Sequence, residues 1–350
     1  MTTMALGTAL AERPTDRTSV VPRRPAGSDL LPAVRANAYL HEIARSPEGV
    51  LSGLPGAVTG LAVSRDGAHL VAAHYGEDAV SLIDTATLEV TATVAGVDEP
   101  YAVAAADRAY LRSASISEDT VVAVDLQTGA ALADREVGVG AGGLAASPNG
   151  DVLYVARSVD GLADIAVVQV ESGKVSAIPV TRIAGASIDS VRINPAGTRL
   201  YAALTTAVGG ALVIVDLRNN HVVTVPVGAA IGEVAVHGDD RRVFVSGWDT
   251  DRGATLYAID ASTARVVGSV TLDGPPVGIL AAGSALYLAH GEQVSVLDID
   301  TLAVVNSVQI GRPVSCLALS RDGGRLFIGD YEATVTALAV PGMAAGARAA

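Results

Sequence analysis

The sequence predicts an all-β chain, a seven-bladed β-propeller of four-stranded antiparallel blades closed by an N-terminal strand in the last blade. Three observations predict it: a phrase that recurs roughly every forty residues, a Val- and Gly-rich composition, and turn signals at fixed places between short apolar runs. Length by itself suggests two or more domains for 350 residues, but repeats stack unit on unit and permit one large domain.

The recurring phrase is a short apolar strand, a turn, a second strand, a polar loop, a strand ending in Asp, a tight turn and a Val-rich strand. Its clearest copies are Val80-Ser-Leu-Ile-Asp84, Val121-Val-Ala-Val-Asp125, Leu212-Val-Ile-Val-Asp216, Leu256-Tyr-Ala-Ile-Asp260 and Val294-Ser-Val-Leu-Asp298. Two weaker copies put Gln169 and Ala337 at the Asp position, so the spacings are 41, 44, 47, 44, 38 and 39 residues. This is the period of a propeller blade.

Each Asp precedes a Thr, Ser, Asn or Gly pair, as in Thr87-Leu-Glu-Val and Thr128-Gly-Ala-Ala. A carboxylate there accepts from backbone N–H groups two residues on and closes the turn, which makes the recurring Asp structural rather than catalytic. Between first and second strands stand Ser64-Arg-Asp-Gly67, Ser147-Pro-Asn-Gly150, Asn194-Pro-Ala-Gly197 and Ser320-Arg-Asp-Gly323, hairpin turns with a glycine available for positive φ.

The phrases Ser147-Pro-Asn-Gly-Asp-Val-Leu-Tyr-Val155 and Val294-Ser-Val-Leu-Asp-Ile-Asp-Thr-Leu-Ala-Val-Val305 resemble YVTN-type propeller repeats, found in the YncE-like proteins. The resemblance spans about residues 54 to 340, with departures at Gln169, Ala337 and the shortened hairpins near Asp107 and Gly283. It implies a scaffold and a repeat number, and no common activity.

The seventh repeat runs out after Val335-Thr-Ala-Leu-Ala-Val340 and lacks a fourth strand. A ring must close, so residues 39–46, including Leu40-His-Glu-Ile43, are expected to pair with the edge near Val335 to Leu338. The expected domains are an arm over 1–36 that holds Pro14, Pro22 and Pro25, a propeller over 37–340, and a tail of Gly, Ala and Arg over 341–350.

Composition excludes several functions. Half the residues are apolar and 17% are charged, enough for a large core. With 24 basic against 37 acidic residues the net charge is −13, and Lys174 is the single lysine, so a polyanion such as nucleic acid is repelled. Cys316, the sole cysteine, forms no intramolecular disulfide and reads as a core thiol within Val314 to Leu319. No apolar run has the length of a membrane span, and the N-terminus lacks the basic and apolar regions of a signal peptide. A cytoplasmic monomer without a cofactor is expected.

Propeller ligands meet the face where loops entering the first strand converge with loops joining the second and third. The latter hold Glu77, Asp78, Glu118, Asp119, Asp160, Asp164, Asp249, Asp251, Glu292, Asp330 and Glu332. The face is therefore expected to be acidic, either simply solvated or open to a cation or a basic partner.

Three features break the repeat's own rules or recur suggestively. Arg192 stands where other first strands carry Ala62, Ala145, Ala235 and Ala318, so it needs a carboxylate, with Asp189 or Glu233 the candidates; it serves as a structural ion pair or as a ligand anchor. Trp248 lies in Gly247-Trp-Asp-Thr-Asp-Arg-Gly253 beside Asp249, a segment that reads as a binding loop or as packing over its own blade. His74 and His290 occupy equivalent loop starts in the first and sixth repeats, with no metal-ligand spacing around them.

No nucleophile elbow, Walker loop or dinucleotide fingerprint is present. Two readings follow. One is a non-enzymatic binding or scaffolding propeller that takes a protein or small ligand at its loop face. The alternative is a lactonase-type or other hydrolytic enzyme at the channel mouth, which requires Arg192, Glu233 and His74 or His290 around one cavity. An electron-transfer or quinone-dependent role is remote, with one Trp and no haem motif.

Overall fold

The computed structural model describes residues 46–114, 118–159, 162–228 and 230–340. They form seven antiparallel four-stranded sheets, and the innermost strand of each packs against that of the next until the seventh meets the first. The chain folds as a seven-bladed β-propeller. In chain order the blades cover 60–95, 100–138, 141–181, 187–226, 230–271 and 278–309, and the seventh combines 314–339 with 49–52. The expected arm over 1–36, the tail over 341–350 and Asp160 lie outside the described residues.

Local chemistry explains the blades. Asp84 Oδ1 accepts from the N–H groups of Ala86 and Thr87 at 2.9 and 2.8 Å, and Asp125 repeats the pattern with Gln127 and Thr128 at 3.0 and 2.8 Å. Asp260 and Asp298 do the same in their own blades. At the first hairpin, Gly67 takes φ 76° and donates to Ser64 O, a conformation that only glycine adopts without strain.

The last blade corrects the sequence alignment. Arg325 lies opposite Ala339, as Arg108 lies opposite Asp125, so Ala339 and not Ala337 occupies the Asp position. Without an Asp as marker, residue type does not fix the register there; the ladder does.

Closure also differs from expectation in its segment. The fourth strand of the seventh blade is Gly49–Ser52, with Gly49 opposite Ala337 and Ser52 opposite Thr334. Residues 39–45, with Leu40 and Ile43, lie outside the described residues. The reason is burial beside the strand: Leu51 and Leu54 pack with Leu70, Ile83, Phe327 and Val335 between the last blade and the first. Glu48 adds an ion pair to Arg325 at 2.9 Å.

Hydrophobic clusters sit one per interface between neighbouring blades rather than in one central core. One position of the second strand supplies the bulk: Tyr110, Tyr154, Tyr201, Phe244, Tyr287 and Phe327 are all buried. Removing an aromatic side chain of this kind from water stabilises the fold by about 1.5–3 kcal/mol. The centre of the ring, spared this packing, is left as a channel.

Candidate functional site

Each innermost strand begins at the loop face, and five of the seven carry one extra residue there. The register slips between Pro100 and Val103, Ala141 and Leu144, Ile188 and Ser190, Ile231 and Val234, and Val314 and Cys316. A β-bulge leaves its extra residue outside the ladder and re-aims its side chain. The bulged segments contribute Tyr101, Gly143, Asp189, Glu233 and Ser315 to the wall of one cavity of about 670 Å³ at the channel mouth. Gly143 is glycine by necessity: a Cβ there would meet Val191 N at 2.7 Å.

Four charged side chains line this cavity. Arg192 donates from one Nη to Val191 O at 3.0 Å and from the other to Glu233 Oε2 at 3.2 Å. Ser190 Oγ also reaches Glu233, at 3.5 Å. Burial pushes the Glu233 carboxyl above its ordinary range, and the pull of Arg192 offsets this only in part. Of the two carboxylates expected to serve Arg192, the structure selects Glu233.

Asp189 has no hydrogen-bond or ion-pair partner among the described residues. Asp189 is exposed to the cavity, yet the surrounding blades desolvate it enough to raise its carboxyl. The fourth charge is Arg112, which the sequence reading missed. Its Nη1 donates to Ala141 O at 2.7 Å and lies 3.6 Å from Asp119, while its guanidinium sits 5.2 Å from the centre of the Tyr101 ring. Its buried Nε has no hydrogen-bond partner among the described residues. The signal was available: Arg112 replaces Ala73, Ala156, Ala203, Ser246, Ala289 and Gly329 of the other second strands, as Arg192 replaces alanines in the first.

Three tyrosines complete the rim: Tyr75, Tyr101 and Tyr331 are 39%, 50% and 54% exposed. Tyr75 donates to Glu99 at 2.8 Å, which ties a loop of the first blade to the start of the second. Cys316, expected in the core, packs partly buried against the cluster between the seventh and first blades and also lines the cavity; desolvation pushes its thiol up to about 12.

The remaining candidates lie elsewhere. His74 is fully buried, bonded through Nδ1 to Gly56 O at 3.0 Å and through Nε2 to Ser81 at 2.9 Å, and burial lowers its pKa. His290 is its repeat equivalent, bonded to Ser295 at 2.8 Å. Neither lines the cavity, so the histidine that the hydrolytic alternative required is not at the mouth. Trp248 and Asp249 end a strand, and a tight hairpin replaces the expected long loop. The tryptophan ring packs over Gly253, and Asp249 caps the turn with an ion pair to Arg252 at 3.0 Å.

Half of the described acidic residues on this face, Asp78, Asp119, Asp164, Asp249 and Asp330, are engaged in structural contacts. Asp78 accepts from Glu99 N at 2.8 Å, Asp164 takes Arg157 in two bonds of 2.7 Å, and buried Asp330 takes Arg312 at 2.7 Å. Among the described residues no three His, Cys, Asp or Glu side chains are grouped to hold a metal ion. Nor is any helix long and apolar enough to cross a membrane.

No family model matches the chain. It is 29% identical over 346 residues to the seven-bladed beta-propeller protein Rv1057 of Mycobacterium tuberculosis, covering 87% of this chain and 88% of that protein. A chain of the Kuenenia stuttgartiensis hydrazine synthase superposes with a TM-score of 0.73 at 22% identity, covering 82% of this chain and 96% of that one. With the closed ring of seven sheets, these likenesses establish the protein as a seven-bladed β-propeller.

Proposed function

We propose that the protein is a non-enzymatic binding propeller that takes a small molecule in the cavity at its loop-face channel mouth. The observation that carries this reading is convergence: every blade contributes to one cavity of about 670 Å³, within the range of small-molecule sites. Bulges in five blades turn side chains toward it at a cost in ladder hydrogen bonds, a feature often found where a site is built. Charged groups and half-exposed tyrosines supply orientation and stacking surface.

The test is a thermal-shift screen of the full chain against metabolites, beside the variant Val277→Trp, which narrows the mouth from an exposed loop position. A compound that raises the Tm of the wild type and not of the variant supports the reading. Equal shifts in both, or no shift with any compound, would shift the assignment to a scaffold that uses its outer surface.

A further inference from the structure

The charges around the cavity are not all paired, and the one left over is negative. Arg192 is countered by Glu233, and Arg112 by Asp119 and the Ala141 carbonyl. Asp189 is left without a counter-charge and faces the same space as the rings of Tyr101 and Tyr331. The Tyr101 phenol is itself raised by burial first, then by the fields of Glu233 and Asp189, which places all three groups in one electrostatic neighbourhood.

Resting on the reading that this mouth binds a small molecule, we propose that its ligand carries an organic ammonium group, held by the Asp189 carboxylate beside the faces of Tyr101 and Tyr331. An anion finds both arginines already engaged. An inorganic divalent ion needs several oxygen ligands and fills only a small part of the volume. An organic ammonium fits the two features that remain, one unpaired carboxylate and aromatic rings, because the carboxylate accepts its N–H groups and ring quadrupoles attract cations. Arg112 over one face of Tyr101 shows that this ring accepts a cation, and half of the residue stays open to the channel.

The experiment titrates the full chain with benzylammonium, benzyl alcohol and benzoate, one ring with positive, neutral and negative substituents, while tyrosine NMR signals are followed. Benzylammonium is expected to bind about tenfold tighter than the other two, and Asp189→Asn to remove that preference while leaving the alcohol unaffected. Asp189→Glu, which keeps the charge, should retain most of the preference, and serves if the amide variant folds poorly. Equal binding of the alcohol or benzoate, or an unchanged preference in Asp189→Asn, overturns the ammonium assignment and leaves the cavity as a binding site. Failure of all three probes to move the tyrosine signals overturns both.

Discussion

The Arg192 guanidinium meets Glu233 Oε2 at 3.2 Å across the boundary between the fourth and fifth blades. Each side chain belongs to an innermost strand, and each would face a costly desolvation without the other. Removing one member of a fully buried pair costs roughly 3–5 kcal/mol, but these side chains are partly wetted at 41% and 29% exposure.

Arg192→Ala is therefore expected to lower stability at pH 7 by about 1–2 kcal/mol in urea unfolding. The loss comes from leaving the Glu233 carboxyl, already penalised by desolvation, without its counter-charge. Its folded pKa is already raised and rises further without Arg192. The deficit should shrink as pH falls and vanish below the unfolded carboxylate value of about 4.3, where both states are protonated. A pH-independent deficit would show that Arg192 acts through packing alone.

Asp189→Asn is expected to hold or raise the Tm at pH 7. Burial raises the Asp189 carboxyl and no partner is lost, so a neutral isostere removes a cost without breaking a bond. The difference should vanish below the unfolded pKa. A clear drop in Tm would reveal a structural role for the carboxylate, and circular dichroism melts at two pH values separate the cases.

The turn aspartates act in the opposite direction. Hydrogen bonds from Ser262 and Thr263 hold Asp260 down to about 2, and those from Arg218 hold Asp216 to about 2. Both carboxyls are depressed on folding, so their contribution is complete above the unfolded value of about 3.9 and lost as pH falls through about 2. Asp260→Ala should lower the Tm at pH 7, with the gap to wild type closing between about pH 4 and pH 2. A gap that persists at pH 2 would assign the effect to the turn's backbone.

Cys316 borders the channel, yet its thiol is pushed up to about 12, mainly by burial. The thiolate is the reactive form. Native protein at pH 8 should react with a thiol reagent far more slowly than the urea-unfolded chain, which a colorimetric titration of the single cysteine reads directly. Comparable rates would mean the strand opens readily beside the cavity.

Much of the ring was legible in the sequence because blades are built from local contacts. Where the turn has its Asp, as at Asp84, Asp125, Asp260 and Asp298, the carboxylate bonds residues two and three positions on, and the hairpin glycines act within four residues, so both leave a fixed mark in the repeats that carry them. Arg192 was legible as a departure from that pattern, and the same comparison on the second strands would have exposed Arg112. Where the mark was missing, at Ala339, the alignment slipped by two residues. The closing strand at Gly49–Ser52 could not be chosen from apolarity alone, because its partners Leu70 and Phe327 lie in different blades.

The site itself was decided by tertiary structure. A bulge inserts one residue without altering the apolar pattern around it, so nothing in the order of residues announces that Asp189 leaves the ladder and enters the channel. The choice of Glu233 over Asp189 as the partner of Arg192 depends on a neighbouring blade 41 residues away. Sequence determined the repeat, the turns and the blade number, because those are short-range; the ring brought Asp189, Tyr101 and Tyr331 around one cavity, because only closure of the seven blades brings their strand ends together.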